Sequence, residues 1–176
     1  FGQDISAACG QLAAKHKIRN LSNYILYNYN DTPDDFWKRL KINIDLNKEY
    51  DLQIYSFPMK YIPLNSKDRT YIGKNWNWQF IRGVQRIINV LKGAVMPKED
   101  FFYRAFGKNE NEFKKILLMP EHILMNRGRE PQSEEIEWHS KFDSLTKSEK
   151  SELLRILCDC KTKIKLINSI SKTKNG

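Results

Sequence analysis

Apolar and polar positions along this chain fall into two regimes, a strand-and-helix alternation up to about residue 60 and a purely helical spacing beyond it. Residues 5 to 16 carry Ile5, Ala8, Cys9 and Leu12 at helical intervals, which predicts a short amphipathic helix. LSNYILYNYN, residues 21 to 30, is rich in Tyr, Ile and Leu between Asn and Asp, and predicts a buried strand. Thr32 then offers an N-cap, Pro33 stands where its missing N–H costs nothing, and Asp34 and Asp35 load the first turn with negative charge. A helix from about Pro33 to Glu49 follows, with Phe36, Trp37, Leu40, Ile44 and Leu46 as its apolar side. LQIYSF, residues 52 to 57, predicts a second buried strand that ends at Pro58.

Strand, helix and strand with short joints make a βαβ unit, whose strands must run parallel and whose crossover is right-handed. The fold class is therefore α/β in this part. Ligands in such folds gather at the carboxyl ends of the strands, here YNYND (27 to 31) and SFPMKY (56 to 61).

Past Tyr61 the pattern changes. IPLNSKDRTYIGKNW predicts a loop, and a helix from about Asn75 to Lys92 follows, stopped by Gly93, with Phe80, Ile81, Val84, Ile87, Ile88 and Leu91 along one side. Shorter helices are expected at 98 to 106 and 109 to 118. After the linker NRGREPQS come a helix near 134 to 143 and a last one, opened by a Thr146/Glu149 capping box, that reaches about Ile170. The C-terminal part, residues 66 to 176, thus reads as an α-helical region.

Composition adds limits. The chain has 176 residues, 40% hydrophobic and 12% aromatic, enough for one sizeable core. No apolar run approaches the roughly 20 residues that span a bilayer, so a soluble, cytoplasmic protein without a membrane partner is expected. The first residue is Phe rather than Met, which suggests a fragment or a processed form. Cys9, Cys158 and Cys160 give no even disulfide framework and fit a reducing compartment. Cys158 and Cys160, two apart on a helix, point away from each other, and His16, His122 and His139 are isolated, so no metal site is predicted.

Charge adds a candidate chemistry. The net charge is +9, and no acidic residue falls between Asp68 and Glu99, a stretch that holds Arg69, Lys74, Arg82, Arg86, Lys92 and Lys98 beside Tyr71, Trp76, Trp78 and Phe80. Five more lysines follow Asp159. Cations beside aromatics suit a nucleic-acid partner: Arg69, Lys74, Arg82 and Arg86 would grip phosphates while Trp76 and Trp78 stack on bases. The wet face of an amphipathic helix is the other reading of Arg82 and Arg86.

The segment LSNYILYNYNDTPDDFWKRLKINIDLNKEYDLQIYSFPMKYIPL, with DRTYIGKNWN, QFIRGVQRIINVLKGAVM, FFYRAFGKNENEF and ILLMPEHILMNR, resembles the C-terminal half of a group of bacterial radical S-adenosylmethionine proteins, over about residues 18 to 145. FGQDISAACGQLAAKHK separately resembles the A-C-G-Q-L motif of radical S-adenosylmethionine methyltransferases that modify an adenine of ribosomal RNA; Cys9 matches the cysteine that carries a methyl group there.

These resemblances imply that residues 1 to 65 are βα elements of a partial (β/α) barrel, followed by the helical region. They imply S-adenosylmethionine and a 4Fe–4S cluster as the parent's cofactors. Asn28, Asn30 and Asp31, and Ser56, Met59 and Lys60, would then face a cofactor or substrate cavity, with Lys60 as a cationic anchor; a turn with a helix cap, and a strand end with an exposed lysine, are the other readings. Cys9 is either the methyl carrier or a small apolar residue on a helix. The chain contains no C-x-x-x-C-x-x-C loop, so alone it is expected to bind neither cofactor fully and to be catalytically silent. The expected partner is the missing N-terminal barrel half, or a second copy; a structural domain that only packs against such a partner is the further reading.

Overall fold

The computed structural model describes residues 2–66 and 69–158. Its first part runs α1 (Gly2–Lys15), β1 (Asn20–Tyr27), α2 (Pro33–Tyr50) and β2 (Gln53–Lys60). The helices α3 (Trp78–Val90), α4 (Glu99–Phe106), α5 (Glu110–Leu117), α6 (Glu121–Met125), α7 (Ser133–Ser144) and α8 (Lys147–Cys158) follow. The protein is mixed α/β: β1 and β2 pair in parallel, from Asn20 opposite Gln53 to Tyr27 opposite Lys60, and α2 is the crossover. No helix among the described residues is long and apolar enough to cross a membrane.

Helix α2 starts as its sequence demands. The Thr32 hydroxyl accepts from the Asp35 N–H, and the Asp35 carboxylate accepts from the Thr32 N–H at 2.9 Å, a reciprocal capping box. Its far end closes on Asp51, which takes a left-handed conformation at φ +52°. Between these ends α2 buries Phe36, Trp37, Leu40 and Ile44 in the main core. There they meet Ile25 and Tyr27 of β1, Ile81 and Val84 of α3, Phe102 and Phe106 of α4, and Phe113 and Leu117 of α5. The Trp37 indole N–H donates to the Phe106 carbonyl at 3.1 Å, so its polar atom is satisfied inside this core. A smaller cluster of Ala13, Leu46, Leu52 and Ile54 holds α1 on the other end of α2.

The two strands are treated unequally at their edges. In β2 the backbone groups of Ile54 and Ser56 point away from β1. The Ile54 N–H donates to the Asn47 side-chain oxygen at 2.7 Å, and the Asn47 amide reaches the Ile54 carbonyl at 3.5 Å and the Pro97 carbonyl at 3.4 Å. Ser56 exchanges both backbone hydrogen bonds with Val95 in an isolated antiparallel bridge, at 3.3 and 2.8 Å. Pro58, next on the same side, has no N–H to satisfy. The strand therefore continues to Lys60 instead of ending at Pro58 as its sequence predicts, because an edge position tolerates proline. β2 is thus finished as a terminal strand.

β1 is not finished. The backbone groups of Ser22 and Tyr24 that point away from β2 meet no backbone partner among the described residues, and the Leu26 carbonyl is met only by the Arg39 guanidinium. One face of the sheet is also bare. Tyr24 (75% exposed), Leu26, Phe57 and Met59 lie on it, with the Tyr24 and Phe57 rings 5.9 Å apart, while Ile25, Tyr27, Ile54 and Ser56 turn the other way onto the helices. Parallel strands are ordinarily covered on both faces.

Several expectations need correction. On α1 the residues that pack are Gly10 and Ala13; Cys9 and Leu12 are exposed, because the small Gly10 lets the helix approach Leu46 closely and so turns that side inward. Helix α3 begins at Trp78, capped by the Asn77 side chain accepting from the Phe80 N–H, rather than at Asn75. Helix α6 has no counterpart in the expected elements. The expected extension of the last helix towards Ile170, the lysine-rich tail and Cys160 lie outside the described residues.

Asn47 substitutes for a neighbouring strand, so Asn47→Ala leaves the buried Ile54 N–H unpaired. Urea unfolding of this variant is expected to show a loss of about 1–3 kcal/mol, the cost of an orphaned buried donor.

Candidate functional site

The loops at the carboxyl end of the sheet converge on one residue. Asn28, directly after β1, is completely buried and left-handed at φ +74°, a conformation Asn adopts more readily than most residues. Its amide nitrogen donates to the carbonyls of Tyr61 and Tyr71, each at 3.1 Å, and its side-chain oxygen accepts the Gly73 N–H at 2.8 Å. One side chain thereby ties the β1 exit, the β2 exit and the loop before α3 together. Gly73 is required there: a Cβ would stand 2.5 Å from the Tyr29 carbonyl oxygen.

Asp31 makes a second knot. It accepts the Tyr29 N–H at 2.9 Å and the Trp76 indole N–H at 3.2 Å on one oxygen, and the Arg39 guanidinium at 2.5 Å on the other. The Asn30 carbonyl accepts from the Asn75 amide at 3.0 Å. Lys60 donates to the Arg69 carbonyl at 2.8 Å.

These anchored backbones present three tyrosines. The Tyr29 and Tyr61 rings lie 4.7 Å apart at 65°, and Tyr61 and Tyr71 lie 5.7 Å apart at 80°. Tyr29 is 49% exposed. This trio is not among the site residues expected from the sequence. Its available signal was that a tyrosine stands within two residues of the end of each parallel strand, at 29 and 61.

Among the cavity residues expected from the sequence, the structure brings Asn28, Asn30, Asp31 and Lys60 to this one end of the sheet. Asn28 and Asp31 spend their side chains holding the loops, so their role is positioning. Met59 is exposed on the bare face beside Leu26. Ser56 does not face a cavity: it is buried under the helical side, where the Asn43 amide donates to its hydroxyl at 2.7 Å. The alternation of a strand decides this, since Ser56 shares its side with Ile54 and Met59 does not.

The expected nucleic-acid grip separates likewise. Trp76 is 6% exposed and packs on Tyr27 and Phe36, so it cannot serve as a stacking surface. Arg82 makes a two-pronged pair with Glu121 at 2.9 and 2.8 Å, and Arg86 joins the same carboxylate at 2.7 Å. The Arg82 hydrogen bond outweighs partial burial and, with Arg86, holds the Glu121 carboxyl below its ordinary value. Trp78 lies under the Arg82 guanidinium, 5.7 Å from ring to charge. These two arginines join α3 to α6. Arg69 and Lys74 remain exposed and have no ion-pair partner among the described residues.

Cys9 is exposed on α1, and no described contact joins it to the loops around Asn28. Among the described residues no three His, Cys, Asp or Glu side chains gather as a metal site. Comparison with protein-family models, with characterised proteins and with solved structures gave no match.

Gly73→Ala forces a Cβ onto the Tyr29 backbone. Thermal or urea unfolding is expected to show a loss of about 1–3 kcal/mol, typical of overpacking, with the Tyr71 and Tyr29 amide resonances displaced most.

Proposed function

We propose that this chain is the C-terminal portion of a radical S-adenosylmethionine enzyme, supplying the last two strands of a partial (β/α) barrel and a helical flank. The observation that carries the reading is the asymmetry of the sheet. β2 is closed at its outer edge by Asn47, Val95 and Pro58, whereas Ser22 and Tyr24 on the outer edge of β1 meet no backbone partner among the described residues and the face with Tyr24, Leu26, Phe57 and Met59 is exposed. A preceding parallel strand would pair with β1, α1 would be its crossover helix, and the bare face would become the inside of the barrel. The Asn28 loops would then form part of the mouth, where such enzymes do their chemistry.

The cluster ligands in this reading come from the preceding part of the enzyme, because this chain lacks the C-x-x-x-C-x-x-C loop. What these residues contribute is shape and anchorage: Asn28 and Asp31 fix the loops, and Met59 and Leu26 line the interior near the mouth. Cys9, exposed on α1, has no methyl source within the chain.

The reading frame upstream of Phe1 is expected to encode an in-frame C-x-x-x-C-x-x-C loop. The extended chain, reconstituted anaerobically with iron and sulfide, is expected to cleave S-adenosylmethionine to 5′-deoxyadenosine, and the present chain is expected to hold no stoichiometric cluster. An upstream segment without that loop, or a full cluster in the present chain, would overturn the proposal.

A further inference from the structure

The carboxyl-end loops combine two properties that neither the core nor a barrel wall requires. Tyr29 keeps half of its surface open although its own N–H is held by Asp31 and its carbonyl lies where Gly73 leaves no room for a Cβ. Its ring rests on Tyr61 and through it on Tyr71, so an incoming flat ring would meet a surface already ordered, with little side-chain freedom left to lose.

Charge at the same loops is one-sided. The described residues of the loops between β2 and α3 include the cations Arg69 and Lys74, with Lys60 at the end of β2. The carboxylate of Asp31, in the loop after β1, is consumed by Arg39, Trp76 and the Tyr29 N–H. Lys60 holds the Arg69 backbone in place, and Lys74 follows the Gly73 that Asn28 clamps, so both exposed cations stand on anchored chain.

We infer that this loop cluster binds a nucleoside phosphate, with the base on Tyr29 and the phosphate on Arg69 and Lys74. The ligand is either a free nucleotide or a residue within a single strand; both present the same ring and anion. Arg82 and Arg86, already committed to Glu121, take no part. The inference concerns what the loops bind and holds whether or not the preceding barrel strands exist.

The test uses the chain as it stands, so its outcome is separable from that of the cluster experiment. Adenosine 5′-monophosphate and a short single-stranded oligoadenylate are titrated at low salt by calorimetry. Saturable binding of either is expected, weakened at least about fivefold by Tyr29→Ala, since stacking contributes about 1–3 kcal/mol per base, and likewise by Arg69→Ala with Lys74→Ala. Tyr29→Phe should retain most of the affinity, and circular dichroism should show each variant folded. Tighter binding of the oligoadenylate, with a steeper loss on adding salt, identifies a strand as the source; equal binding identifies the free nucleotide. Absence of saturable binding by both probes would overturn the inference. So would affinity unchanged in the Tyr29→Ala chain, which would reduce the site to an unspecific attraction for phosphate.

Discussion

Every backbone donor and acceptor in a strand must find a partner, and this requirement organises the protein. The parallel pairing of β1 with β2 satisfies one side of each strand. On the outer side of β2 the chain supplies improvised partners: a helix side chain, Asn47, for Ile54, a single returning residue, Val95, for Ser56, and a proline where no donor is needed. Among the described residues nothing comparable serves Ser22 and Tyr24 of β1. Among the described residues the two edges of this sheet are therefore treated unequally.

The rest of the structure follows from fixing that sheet against α2. Aromatic side chains on α2, α4 and α5 pack around Phe36, whose ring lies 6.3 Å from Phe106 and 6.1 Å from Phe113. Asn28 then uses the end of β1 as a post. Its three hydrogen bonds cross stretches that are 33 to 45 residues apart in sequence, and they place Tyr29, Tyr61 and Tyr71 side by side. The candidate site is therefore a consequence of the sheet's geometry rather than a separate loop feature. A left-handed, wholly buried asparagine at a strand's carboxyl end is the kind of locally costly conformation that surrounding structure has to maintain.

Much of the local structure was legible in the sequence. Thr32, Pro33 and Asp35 announce the start of α2, and the βαβ order follows from two apolar runs around one amphipathic stretch. What was not legible depended on partners distant in sequence. Trp76 reads as an exposed aromatic beside cations until Tyr27 and Phe36 close over it, and Arg82 and Arg86 read as free until Glu121 arrives from α6. Ser56 and Met59 stand near the same strand end in sequence, but alternation sends them to opposite faces. The helical spacing of Cys9 to Ile5 and Leu12 marks that side as apolar, whereas packing on α2 is decided by the small residues Gly10 and Ala13. The Asn28 node could be recognised in sequence only as turn chemistry.

The unequal edges are the centre of this account, and amide hydrogen exchange in the isolated chain tests them directly. The amides of Ser22 and Tyr24 should exchange rapidly while those of Ile25 and Tyr27, in the same strand, and of Ile54 and Ser56, at the closed edge, are protected. Protection of Ser22 and Tyr24 equal to that of their odd-numbered neighbours would mean that β1 already has a partner on its outer side, and would contradict the account.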